Sequence, residues 1–256
     1  MLPPLNGVGR TLPHWLARKY FTIISTYGYL PFTVKEAASH LKSSRYPASI
    51  LLAKMASYGW LDRLDRGLYR AVPPLIALME ASGHRWRDRI QQREKLPILE
   101  LVVARLFEEL GPMLESLILF GSLARGAGRP GSDIDLLVVA EGLPERFSDR
   151  LQLINRAVSS EQLDRLILKL WEEKGVYTTL DILPITPEEA KVTHPFYLDL
   201  AEEGLIIFDK KGLMAWKIEQ VKRKLREIGA VKVVEPGSGW YWILAPEPEM
   251  ARNVEL

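Results

Sequence analysis

The residues best suited to chemistry lie in one stretch of the chain. A Gly-Ser pair, Gly121-Ser122, stands about ten residues ahead of two carboxylates, Asp133 and Asp135, with Ser132 immediately before them. Side chains two apart on a strand point the same way, so Asp133 and Asp135 project together while Ile134, Leu136 and Val138 turn towards a core. The run Leu117-Ile118-Leu119-Phe120 reads as a buried strand. It puts the glycine turn at a strand end, the usual place for a phosphate site in an α/β layer. Glycine there lets backbone N–H groups approach a phosphate closely, and the Ser122 hydroxyl can join them. Magnesium takes oxygen ligands and is held by few protein carboxylates, a role that suits Asp133 and Asp135. Gly126, Gly128, Pro130 and Gly131, between the two halves, also suit an ordinary flexible connection.

The string LFGSLARGAGRPGSDIDLLVV resembles the signature of the DNA polymerase β-type nucleotidyltransferase superfamily, in particular its small prokaryotic minimal branch. The resemblance runs roughly from Leu96 to Lys210 and implies a third carboxylate in a later strand. Asp181, in the β-like run Tyr177 to Pro184, fills that position. The family chemistry is in-line displacement of pyrophosphate from an α-phosphorus by a hydroxyl. Two divalent ions about 3.5–4 Å apart then clamp the attacking and leaving oxygens. The resemblance implies Asp133, Asp135 and Asp181 as catalytic and metal-holding residues, and two Mg2+ ions, with Mn2+ as the alternative. It implies Gly121, Ser122, Arg125 and Ser132 as nucleotide-binding residues. Arg125 enters because a guanidinium binds phosphate oxygens bidentately.

The elements that must position these residues follow from patterning. The segment from Ile98 to Leu110 carries Ile98, Leu101, Val102, Leu106 and Leu110 on one stripe, which suits packing on a sheet. Helical stretches at about 145–158 and 161–174 lead to the Asp181 strand, and Phe196 to Asp209 reads as a helix followed by a strand. A helix over 213–228 precedes a hairpin, 230–234 and 240–244, through a turn at 235–238. Its Trp240-Tyr241-Trp242 cluster could stack bases, but packing against a helix is the reading favoured here.

The amino-terminal part has a different character. Residues 1–70 hold ten Lys/Arg and three Asp/Glu, so a chain of net charge +2 has a basic head and a mildly acidic body. Such asymmetry suggests an anionic partner for the head. His14 to Tyr27 reads as an amphipathic helix, and Thr33-Val34-Lys35-Glu36 is a capping box opening a short second helix. A third helix begins near Pro47, with Ile50, Leu51, Met55 and Tyr58 as its apolar stripe. Two alternating runs around Asp65-Arg66-Gly67 form a hairpin. This is the order of a winged helix-turn-helix. The phrase GWLDRLDRGLYRAV is also similar to the wing of regulator-like domains in abortive-infection antitoxins. The resemblance implies DNA contact through Arg45, Ser49 and Lys54 on the third helix and through Arg63, Arg66 and Arg70 on the wing.

The predicted fold class is therefore α+β, a mixed-sheet nucleotidyltransferase core behind a winged head. The expected boundaries are 1–80 for the head, 81–97 for a linker helix broken near Pro97, 98–210 for the core and 211–256 for the extension. The chain order is similar to that of archaeal nucleotidyltransferase-domain proteins. With no cysteine among 256 residues, disulfides and thiolate metal sites are excluded, and His14, His40, His84 and His194 lack ligand spacing. No apolar run reaches the ~20 residues of a membrane helix. The amino terminus carries no secretion signal, so a cytoplasmic location is expected. Two functions follow. One is a Mg2+-dependent transferase moving a nucleoside monophosphate, AMP first, from its triphosphate to a hydroxyl on protein, RNA or a small molecule. The other is a DNA-binding regulator or antitoxin-like protein whose nucleotidyltransferase domain binds nucleotide, with a protein toxin as the acceptor in a mixed version.

Overall fold

The fold is described from a computed structural model covering residues 12–128, 131–235 and 239–244. Pro130 and most of the expected turn at 235–238 lie outside the described residues.

The head folds as the patterning predicts. Helix α1 (His14–Tyr27) is followed by strand β1 (Phe32–Thr33), helix α2 (Val34–His40), helix α3 (Arg45–Ser57), and strands β2 (Leu61–Asp65) and β3 (Leu68–Ala71). The capping box forms: Thr33 N–H donates to Glu36 Oε2 (2.7 Å), and Glu36 N–H donates to Thr33 Oγ1 (3.3 Å). Two details differ from expectation. Phe32–Thr33 adds a third strand, in the order β1-β3-β2. The apolar stripe of α3 is Ala48, Leu52 and Met55, whereas Ile50 is exposed. Ala48, Leu52 and Met55 share one buried cluster with Leu16 and Ile23 of α1 and Ala37 of α2, and a fully buried side chain of Leu or Met size contributes about 1.5–3 kcal/mol.

Helix α4 (Pro74–Ala81), a 3-10 turn (Trp86–Arg89) and helix α5 (Leu96–Leu110) connect head and core. The expected linker helix over 81–97 does not form, since only the 3-10 turn separates α4 from α5, and the new helix starts beside Pro97. That proline stands in the first turn of α5, where its missing N–H costs nothing. The expected stripe of α5 is buried, and so are Leu99, Glu100, Val103 and Ala104. The helix is wedged between the sheet, α4 and the helices after β5, so it is apolar nearly all round.

The core sheet has four strands: β4 (Leu114–Phe120), β5 (Ile134–Ala140), β6 (Leu180–Ile185) and β7 (Leu205–Asp209), in the order β6-β5-β4-β7. β5 and β6 run parallel, while β4 is antiparallel to both of its neighbours. A four-residue helix, α6 (Gly121–Ala124), follows β4 directly. One face of the sheet packs on α5, α7 (Phe147–Val158) and α8 (Glu161–Lys174) through Leu117, Leu119, Ile134, Leu136, Val138 and Ile182. The other face carries Ile118, Leu137, Val139 and Ile185. It lies under α9 (Pro187–Lys191), α10 (Tyr197–Glu203) and α11 (Leu213–Glu227). β5 is thus buried on both faces, and the face bearing Asp135 continues into core at Leu137. Strands β8 (Val231–Glu235) and β9 (Gly239–Ile243) form a hairpin, with Trp242 packed against the hydrophobic cluster between this sheet face and its helices. The result is an α+β chain with a mixed sheet. Among the described residues no helix is long and apolar enough to cross a membrane.

Candidate active site

The sheet topology brings the acids together. Parallel pairing puts Asp135 and Asp181 in register, so both side chains leave the same face of neighbouring strands. Both lie at the start of their strands, before Leu137 and Leu183 carry that face under the helical layer. Phe120 pairs with Asp135 from the other side, which places the Gly121-Ser122 turn directly above that carboxylate. Gly121 has φ +68°, and a Cβ built on it would lie 2.8 Å from Asp135 Cγ and closer still to Oδ2. The sequence suggests glycine here for phosphate approach. The structure adds a second reason, since the position is already packed against the carboxylate.

Asp133 precedes β5 and is exposed. It accepts a short hydrogen bond from Thr179 Oγ1, and Ile134 N–H donates to the Thr179 carbonyl (2.9 Å). Burial first, then Asp181 and Asp133, push the Asp135 carboxyl up to about 6. Arg125 and Lys95 pull it the other way. Among the described residues, no three carboxylate or histidine side chains close into a ready-made metal cage. What exists is a concentration of negative charge with oxygen donors only. That donor set fits a hard divalent cation such as magnesium, which relieves such repulsion.

Ser122 is half-buried at the second position of α6, and its carbonyl accepts from Ala127 N–H (3.1 Å), closing the turn. Arg125 reaches Glu203 of α10 (2.6 Å), and Lys232 of β8 reaches the same carboxylate (2.6 Å). Ser132 contributes its carbonyl, which accepts from Thr178 Oγ1 (3.0 Å) and from Lys95 Nζ. Patterning misses Lys95. It lies outside the signature, and a lone lysine before a helix looks like solvated surface until its burial is seen.

In the head, Arg45, Lys54, Arg63 and Arg66 are exposed, and Ser49 is partly so. Lys54 Nζ stands 5.1 Å from the centre of the Trp15 ring. Arg70 is a correction. It is 2 % exposed and cannot reach DNA from the wing. Its Nη1 donates to Glu100 Oε2 (2.6 Å), and Nη2 donates to Glu100 Oε1 (3.0 Å) and to Asp62. Arg87, also buried, donates to Glu100 (2.6 Å) and Asp62 (2.6 Å) and pairs with Glu80 (3.0 Å). Burial alone would raise Asp62, but Arg70 and Arg87 outweigh it and hold that carboxyl below its ordinary value. The cause is topological. β3 is the central strand of the wing sheet, and on its second face Arg70 meets Glu100 of α5 rather than solvent. The signal available in the sequence was Glu100, one acid inside the apolar run LPILELVVARLF.

Comparison with known proteins gives the family. The nucleotidyltransferase domain profile matches residues 102–253, more than half of the chain. The chain belongs to the nucleotidyltransferase-domain family. It is a nucleotidyltransferase, and residues 29–72 match the AbiEi antitoxin transcriptional-regulator domain. A Methanocaldococcus jannaschii protein named "Putative protein adenylyltransferase MJ1305" is 28 % identical over 142 residues, covering 54 % of this chain and 88 % of that protein. Among solved structures, a toxin–antitoxin with AMP-PNP is 16 % identical over 50 % of this chain and 90 % of that one, with a TM-score of 0.29. A "putative nucleotidyltransferase" from Sulfolobus solfataricus is 21 % identical over 47 % of this chain and 88 % of that one, with a TM-score of 0.32.

Proposed function

We propose that this nucleotidyltransferase moves AMP from ATP to a hydroxyl group, with a protein side chain as the leading acceptor and Mg2+ as its cofactor. The observation that carries the reading is the registered pair Asp135 and Asp181 beneath the Gly121 turn. Asp133, Asp135 and Asp181 would hold the metal. When bound, the metal would supply positive charge to the triphosphate and to the attacking oxygen. The chain's own residues do the rest. Gly121 and Ser122 seat the β and γ phosphates through backbone N–H groups and the serine hydroxyl, and Arg125 lies at the rim as a further phosphate partner. The acceptor oxygen forms a bond to the α-phosphorus as the bond to the bridging oxygen breaks. Pyrophosphate leaves, and Asp181 takes up the hydroxyl proton. Protein is preferred as acceptor because the relative's name denotes protein adenylylation.

The test is incubation of the full chain with α-labelled ATP, Mg2+ or Mn2+, and candidate protein and RNA acceptors. Label transfer that is lost in Asp135→Asn is the expected result. Equal transfer in both would remove the site from the reaction.

A second role is supported by the AbiEi match. The exposed residues Arg45, Lys54, Arg63 and Arg66, with the partly exposed Ser49, give the head a surface for nucleic-acid backbone, as an antitoxin-like regulator requires. The acceptor in such a system would be a partner toxin.

A further inference from the structure

One charged side chain outside the signature is buried against the carboxylate loop. Lys95 closes the segment between head and core, is 1 % exposed, and donates from Nζ to the Ser132 carbonyl. Thr178 Oγ1 donates to that carbonyl as well. An uncompensated ammonium is costly to bury. Among the negative charges that act on Lys95 are Glu94, Asp133 and Asp135.

The neighbours of Lys95 follow the same path. Gln92 Nε2 donates to the Gly128 carbonyl (3.3 Å). Gly126, at φ +72°, leaves room for the Gln91 amide, whose Oε1 would stand 2.7 Å from an added Cβ. Gln91, Gln92 and Lys95 therefore lie along the loop that joins the Gly-Ser turn to the acids. The far end of the segment is fixed, because Arg93 donates to the Arg87 carbonyl (3.0 Å) and Arg87 sits in the buried ion network.

We infer that Lys95 is a positioning residue of the transferase site. Its ammonium holds the Ser132 carbonyl, sets the backbone from which Asp133 and Asp135 project, and offsets part of their mutual repulsion. The inference rests on the proposed role of those two carboxylates. A hydrogen bond alone would have sufficed to close the loop, and Thr178 already supplies one. The charge is what Lys95 adds, one residue from Asp133.

The test compares Lys95→Met, which keeps length but removes charge and donor, with Lys95→Arg, which keeps both, in the full chain. Amide hydrogen exchange is followed over residues 131–136 beside kcat and KM for ATP. Lys95→Met is expected to melt cooperatively, to exchange at least tenfold faster over that segment, and to lose at least tenfold in kcat with KM within twofold. Lys95→Arg is expected to recover most of both. A merely structural lysine would lower the melting temperature without the local exchange change. Wild-type exchange and kcat in Lys95→Met overturn the inference. If Asp135→Asn abolishes transfer in that same assay, the functional reading survives. If the wild-type chain transfers no label, that reading fails, and exchange alone decides Lys95: acceleration supports the inference and no change overturns it. Should Lys95→Met not fold, Lys95→Gln, which keeps a donor without charge, is read the same way.

Discussion

Gly121 packs against the carboxyl group of Asp135 so closely that a single methyl at position 121 would displace it. The backbone at Gly121 is also in the left-handed region, which L side chains rarely adopt. Gly121→Ala therefore strains the turn and pushes the acid out of place at once. The expected result is a loss of roughly 100-fold in single-turnover transfer, the usual scale for a misplacement of about 1 Å. A destabilisation of more than ~1 kcal/mol should appear in a denaturant melt. Near-wild-type transfer would mean Asp135 does not act from the position seen here.

Asp135 links the site to pH. Its carboxyl titrates at about 6 in the folded chain, against 3.8 for an unperturbed aspartate. The folded state therefore binds the extra proton between these values. That contribution to stability is fully present below about pH 4 and is lost as pH rises through 6. Without metal, Asp135→Asn should raise the melting temperature above pH 6, with the gain fading towards pH 4. A constant gain across that range would show that the charge of Asp135, set against burial first and the neighbouring acids second, is not its cause.

Metal should reverse the same balance. The rise in melting temperature on adding Mn2+ with a non-hydrolysable ATP analogue should be large above pH 6 and shrink as Asp135 takes its proton. Calorimetric titration at pH 5 and pH 7.5 measures this directly.

Asp181→Asn separates binding from chemistry. If Asp181 takes up the proton of the acceptor, nucleotide should still bind within a few-fold of wild type while transfer falls by about 100-fold or more. Loss of nucleotide binding itself would assign Asp181 to the ground state instead.

The head makes two opposite expectations for its arginines. Arg66→Ala, on the exposed wing, should leave stability within about 0.5 kcal/mol. It should weaken nucleic-acid binding and reduce the salt slope by about one. Glu100→Leu removes one of the two carboxylates that the buried Arg70 and Arg87 share and leaves Asp62 alone between two guanidinium groups, so a loss of about 3–5 kcal/mol is expected. Fluorescence anisotropy and urea denaturation check the two.

Much of this molecule is legible in the order of its residues. The capping box at Thr33, α1, and the strands flanking the Gly-Ser turn are local features set by spacing and side-chain type. The same holds for Asp133 and Asp135, two apart in sequence, one just before β5 and one within it. Arg70 is misplaced by patterning because a wing arginine and a buried arginine have the same local sequence. They differ only in what covers the strand's second face. Lys95 escapes patterning for a related reason: nothing local says that its neighbour will be a carbonyl 37 residues away.

By itself, the sequence determined the family chemistry on offer, a glycine turn, a carboxylate pair and a later acid, together with a basic winged head. Only the tertiary structure decided that Asp181 stands in register with Asp135, that Gly121 is pressed on that acid, and that Arg70 and Lys95 face inward. The physical reason is range. Helix and strand periodicity act over a few residues, whereas burial and charge pairing depend on which distant surfaces the fold brings into contact.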